Sequence, residues 1–140
     1  MSHASRRLAG ILLILLPAVA FGGTSILQML IGDPAYAENQ LRQDLWRAGH
    51  AHAGVLLILS LVALRYVDEA TLPDWARSVA RHAIPAAAIL LPVAFFLSVL
   101  DPDATQPNAL INLAFVGAVV LAIGVLTLGV GLIRAPARET

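Results

Sequence analysis

The sequence predicts an all-α membrane protein built as a bundle of four transmembrane helices. First, 59% of its 140 residues are apolar and only 13% are charged, which is more apolar side chain than a water-soluble domain of this size buries. Second, the charged residues fall into clusters separated by four long charge-free stretches. Third, no loop between these stretches is long enough to form a second domain, so residues 1–140 are interpreted as one domain.

The composition also excludes several classes of function. The nine basic residues are all arginines and are balanced by nine acidic ones, so the chain has no basic field that would hold nucleic acid. It has no cysteine, which excludes disulfides, thiolate metal sites and a cysteine nucleophile. The use of Arg without Lys, together with abundant Ala, favours a bacterial source.

The four charge-free stretches run over residues 8–32, 48–64, 82–100 and 104–133. A helix rises 1.5 Å per residue and needs about 20 apolar residues to cross the hydrocarbon core. Aromatic residues settle at the depth of the lipid headgroups, so Trp46 and Tyr66 extend the second span outwards. The predicted spans are about 8–31, 45–66, 81–100 and 109–133.

The first span has a second interpretation. Arg6 and Arg7, the apolar run after them and the small residues Ala18-Val19-Ala20 are also typical of a cleaved signal peptide. We favour an uncleaved span because the apolar run continues to Ile31.

The arginines predict the orientation. Cytoplasmic loops of membrane proteins carry the excess of basic residues. With a cytoplasmic amino terminus, seven arginines lie inside and two outside; the inner ones are Arg6, Arg7, Arg65, Arg77, Arg81, Arg134 and Arg138, and the outer ones Arg42 and Arg47. We therefore expect a multi-pass protein of the bacterial plasma membrane with both termini in the cytoplasm.

Glycines predict how the fourth helix packs. Helices in a bilayer associate through small residues that let their backbones approach closely. Gly117, Gly124 and Gly131 recur every seven residues and form one seam. The seam packs either against the first three helices or against a second copy of the chain.

Two histidines are the sharpest chemical signal. His50 and His52 lie just inside an apolar helix, where an ionisable side chain needs a reason to be present. Residues two apart on a helix point in nearly opposite directions, so the two rings have different partners and do not chelate one ion. Arg47 and the small Gly54 share the face of His50, which makes that face the likelier site.

The segment from Leu45 to Leu64 resembles the His-x-His helices of small four-helix membrane proteins related to haem-copper oxidase subunit I. The whole chain also resembles uncharacterised four-span bacterial membrane proteins. The first resemblance implies an axial-ligand role for His50 or His52 towards haem b. No His-His pair elsewhere provides a copper site, so it does not imply oxygen reduction.

Further polar residues are expected at the depth of the histidines. Met29 is a candidate soft ligand to haem or a transition metal, and Gln28 and Asn112 are candidates to hydrogen-bond an imidazole. Gln28, Asn108 and Asn112 alternatively form a structural polar cluster that joins helix ends. His82 is placed near the opposite surface, too far away to share one iron with His52.

Three functions remain open. The favoured one is an accessory or structural membrane protein that packs against itself or a larger membrane complex. The second is a haem- or metal-binding membrane protein with His50 or His52 as ligand. The third is an oligomeric pore or carrier for a small solute, which four helices alone are too few to enclose. No nucleophile, base and acid occur in a catalytic arrangement.

Overall fold

The computed structural model describes residues 1–136, so Arg138 lies outside the described residues. It is an all-α four-helix bundle, as predicted, and has no strand within residues 1–136. The elements, in chain order, are α1 (His3–Gly32), α2 (Pro34–Ala37), α3 (Gln40–Tyr66), α4 (Asp74–Leu97), a 3₁₀ turn (Ala109–Asn112) and α5 (Leu113–Ile133). Four of these segments are long and apolar enough to cross a membrane: α1, α3, α4, and α5 with its 3₁₀ turn.

Helices α1 and α3 begin earlier than the charge-free stretches, because capping residues and not charges determine where these helices start. The side chain of Ser2 accepts a hydrogen bond from the backbone N–H of Ser5 at the start of α1. Asn39 caps α3 in the same way, through the backbone N–H of Arg42. The charged first turns of these helices are therefore helical although they lie outside the predicted spans.

The observed helices also differ from the predicted third and fourth spans at the loop that joins them. The third span was expected to reach residue 100, but α4 ends at Leu97. The reason is Asn108, whose backbone N–H donates to the carbonyl of Ser98 and whose side chain donates to the carbonyl of Leu97. The side-chain oxygen of Asn108 also caps the 3₁₀ turn, so the α-helix of the fourth span starts at Leu113 and not at 109.

The helices pack largely in chain order: α1 against α3, α3 against α4, and α4 against α5. We call the end that contains residues 67–73 between α3 and α4 the linker end, and the other the α2 end. Near the linker end, buried side chains of all four helices form one core, with Leu12, Leu64, Ile84 and Leu128 as examples. Towards the α2 end the core is smaller and consists mainly of α3 and α4 residues.

The three seam glycines are buried on the face of α5 that meets the rest of the chain. A Cβ at Gly117 would lie 2.9 Å from Leu91 of α4, and one at Gly124 would lie 2.8 Å from Ala83. At Gly131 it would lie 2.6 Å from Leu72 of the linker. The seam therefore packs within the chain, against α4 and the linker.

Replacing Gly124 with Leu is expected to lower the free energy of unfolding by about 1–3 kcal/mol, since the side chain would have to enter the contact with Ala83 and Ile84. The matched control is Gly129→Leu, because a Cβ at Gly129 has nothing within 4 Å. Thermal unfolding in detergent measures both. Equal melting temperatures for the two variants would contradict the close packing of α5 on α4.

A polar network holds the start of α1 at the linker end. The backbone N–H of Ser2 donates to Asp68 at 2.6 Å, and the guanidinium of Arg81 on α4 pairs with the same carboxylate at 3.0 Å. Arg81 also donates to the hydroxyl of Ser5, which is completely buried. The network therefore joins α1, the linker and α4 through charge-assisted hydrogen bonds.

The carboxyl of Asp68 titrates unusually low. Burial alone would raise its pKa, but hydrogen bonds from the backbone and hydroxyl of Ser2, from Ser5 and from Arg81 lower the pKa to about 2. A carboxyl whose pKa is lower in the folded chain contributes stability at pH values above its ordinary pKa. That contribution is lost as the pH falls from about 4 towards 2.

The Asp68→Asn variant is expected to lose about 2 kcal/mol of unfolding free energy at neutral pH, and its stability is expected to change less between pH 4 and 2 than that of the parent. Asp103→Asn, in an exposed turn at the α2 end, is the control. Unfolding in detergent across this pH range measures both effects. Parallel pH profiles for Asp68→Asn and the parent would show that the network does not stabilise the fold.

Candidate functional site

A cleft lined almost entirely by apolar side chains lies between α1, α3 and α4. Its volume is about 480 Å³. Its walls are formed by Leu8, Ile11, Leu12, Leu15, Ala18, Val19 and Gly22 of α1, by His50, Ala53 and Leu57 of α3, and by Pro85, Ala86, Ala88, Ile89 and Phe96 of α4. We call it the α1 cleft.

The α1 cleft exists because α1 packs along α3 but hardly against α4. Only Ser5 and Leu12 of its 30 residues are buried. The cleft opens sideways on the surface of the bundle, where Ile11, Leu15 and Ile89 are 47%, 46% and 64% exposed. Molecules that surround the apolar surface of the bundle therefore have direct access to it.

His50 is the one polar side chain in the wall of the α1 cleft. Its ring lies against two glycines of α1: a Cβ at Gly23 would come within 2.8 Å of Nε2, and one at Gly22 within 3.7 Å of Nδ1. Within residues 1–136 the ring has no hydrogen-bond partner. Apolar surroundings make an unpaired imidazole costly, so this ring is the strongest candidate for a ligand contact.

His52 has a different environment, as the helical spacing predicts. Its Nδ1 lies 2.7 Å from the carbonyl of Ala48 and donates to it, one turn earlier in α3. Its ring lies 5.1 Å from that of Phe95 on α4. The two rings thus face different neighbours, since His50 contacts α1 and His52 contacts α4. His52 is the partnered ring and His50 the unpartnered one.

The other predicted site residues do not join His50. Met29 is partly buried near the end of α1 but is not in the wall of the cleft. Gln28 is exposed on α1, while Asn108 bonds the end of α4 and Asn112 donates to the carbonyl of Ala109 in its own turn. In the part of the chain that the structure describes, no hydrogen bond links Gln28 to Asn108 or Asn112, because each asparagine is used by nearby backbone.

His82 is also remote from the cleft. It is exposed on α4, and its Nδ1 lies 2.9 Å from the carbonyl of Ser78. It borders a shallow surface depression between α4 and α5, not the α1 cleft. Among the described residues, no group of three or more His, Asp or Glu side chains is placed to hold a metal ion.

A cluster at the α2 end was missed by the sequence analysis. Arg42, counted there as a loop charge, is 6% exposed, and its Nε donates to the carbonyl of Val99. Its guanidinium lies 5.0 Å from the ring centre of Trp46 and 5.8 Å from that of Tyr36. Positive charge is favourable beside the carbonyl end of α4 and over aromatic faces, which accounts for a buried arginine here.

The same cluster contains buried donors. The hydroxyl of Tyr36 and the indole N–H of Trp46 have no hydrogen-bond partner within residues 1–136. Burial raises the pKa of Tyr36, an effect that Arg47 and Arg42 partly oppose. The hydrophobicity of residues 33–47 gave no signal for this cluster, since its contacts join α2, α3 and Val99, two residues after the end of α4.

Comparison with known proteins matches no protein family, no curated protein sequence and no solved structure.

A Gly23→Ala substitution tests the contact between α1 and His50. We expect it to lower the free energy of unfolding by about 1 kcal/mol relative to Gly10→Ala, because the atom met is the far end of the His50 side chain, whereas a Cβ at Gly10 would have nothing within 4 Å. In a His50→Ala background the added methyl meets no ring, so the penalty should disappear. Unfolding of the single and double variants in detergent measures the coupling. A penalty that persists without the His50 ring would mean that this contact does not limit the approach of α1.

Proposed function

We propose that this chain is a four-span integral membrane protein of accessory type, which acts by association within the bilayer. The observation that carries the proposal is the apolar outer surface of its four long helices. Large apolar residues remain exposed along α1 and α5, including Ile14 at 78%, Phe21 at 68% and Phe115 at 71%. A patch of this extent is typical of contact with lipid or with another membrane protein.

The bundle itself supports the proposed orientation. The linker carries Asp68, and its end of the bundle also holds the start of α1 and the end of α5. Both termini of the described chain thus lie at the end where the inner arginines concentrate. We infer that the linker end is cytoplasmic and that the α2 end faces outwards.

Reporter fusions after Thr71 and after Thr105 test this topology. An alkaline phosphatase reporter should be inactive at Thr71 and active at Thr105, and a cytoplasmic fluorescent reporter should give the opposite pattern. Activity of the same reporter at both sites would contradict the four-span proposal.

In the accessory role, a partner would contact the outer face of α1, because α1 is the least buried of the long helices. A photoreactive residue at Phe21 is expected to crosslink, in native membranes, to another protein chain or to a second copy. The control position is Leu64, 1% exposed, where crosslinks should remain within the chain. Lipid adducts alone at Phe21 would argue against an accessory role.

Haem or metal binding is the second candidate, favoured by the unpartnered ring of His50. Against it, the cleft wall has no arginine to pair with haem propionates. The visible spectrum of the purified protein tests this candidate: a haem absorption band that His50→Ala removes and His52→Ala retains would establish it.

A further inference from the structure

We propose that the α1 cleft is a binding site for one lipid-soluble molecule with a single long apolar chain and an uncharged, oxygen-bearing head group that hydrogen-bonds His50. This inference rests on the proposed function in one respect, since a membrane location gives such molecules access to the cleft. It is carried by the shape, the size and the polarity of the cleft.

The shape of the cleft indicates an elongated occupant. Its α1 wall runs from Leu8 to Gly22, which at the helical rise is a length of about 21 Å. His50 lies beside Gly22 at one end of this wall, and the opposite end is formed by Leu8 and Leu12. The polar contact is therefore terminal, as it would be for the head group of a chain molecule.

The size of the cleft suits a small molecule. Its volume of about 480 Å³ is within the usual range for small-molecule sites. A transmembrane helix has a diameter of about 10 Å with its side chains, so a partner's helix would lie across the opening of the cleft and insert only side chains into it.

The polarity of the cleft selects the head group. Apart from His50, the wall consists of apolar side chains and a glycine, and it contains no arginine. An ionised head group would have no arginine to balance its charge, and burying an unpaired charge is costly. An ester, carbonyl or hydroxyl oxygen would instead give the imidazole the hydrogen-bond partner that it lacks within residues 1–136.

Fluorescence quenching of Trp46 tests this inference. Trp46 lies one helical turn before His50, and its ring packs 5.9 Å from that of Phe96 in the cleft wall. The other tryptophan, Trp75, is removed as Trp75→Phe so that Trp46 alone reports. The probes are two methyl stearates, brominated near the ester or near the end of the chain, added to protein in lipid nanodiscs.

We expect saturable quenching that is stronger for the probe brominated near the ester. Stearate brominated at the same position, with its ionised head, should bind more weakly. His50→Leu should weaken binding of the ester about five- to tenfold, while His52→Leu leaves it unchanged. His50→Gln, which keeps a hydrogen-bond donor, should retain most of the affinity and shows that loss in His50→Leu is not a folding defect.

Blocking the cleft gives a second, independent measurement. Ala18→Phe places a ring in the cleft from the α1 wall without touching the buried core, and should abolish saturable quenching. Ala20→Phe, on the same helix but outside the wall, is the matched control and should bind as the parent does. Quenching that does not saturate and is equal in both variants would overturn the inference, because it would reflect bulk lipid.

The failure of this inference is distinguishable from failure of the proposed function. Alkaline extraction of native membranes should leave the chain in the membrane pellet. Recovery in the soluble fraction would overturn the membrane proposal itself. Retention in the pellet together with unsaturable quenching would overturn only the lipid site.

Discussion

The position of α1 depends on the polar network at the linker end, and the candidate site depends on the position of α1. Ser2 and Ser5 attach the start of the helix to Asp68 and Arg81, so its first turns are fixed against both the linker and α4. Beyond Leu12, α1 has no further buried residue. An anchor at one end of a long helix, with little packing against α4 after it, leaves the cleft open along the side of the bundle.

Glycines act differently on α5 and on α1. On α5 they remove side chains where the backbone meets α4 and the linker, and the interface closes completely around Gly124. On α1, Gly22 and Gly23 make room for a ring from α3 instead of for a neighbouring backbone. The glycines of α5 therefore allow close contact with α4, whereas the glycine pair of α1 lets a polar ring remain beside an apolar cleft.

The two histidines, about half a helical turn apart, have different surroundings. His52 satisfies one nitrogen with the carbonyl of Ala48 and packs on Phe95, which is sufficient reason for its presence in an apolar helix. His50 has no comparable partner among the described residues. The lipid-soluble molecule proposed above would supply the hydrogen-bonding group that this ring lacks, in a cleft whose wall has no arginine for haem propionates.

The sequence by itself determined the fold class and the number of long helices, because hydropathy and charge are summed over some twenty residues and small local effects cancel. It also determined the glycine seam, since a seven-residue repeat places all three glycines on one helix face. The opposed directions of His50 and His52 follow from helical geometry in the same way.

Tertiary structure alone decided which side chains meet. The hydrogen bond from Arg42 to the carbonyl of Val99 and the fixing of Ser5 by Arg81 join residues far apart in the chain, for which local patterns carry no information. The predicted grouping of Gln28 with Asn112 assumed that residues of similar depth are neighbours, whereas α1 packs on α3 and α5 packs on α4. The depth of a residue along the bundle axis can be predicted from the sequence. Which helices lie next to each other around that axis depends on how they pack.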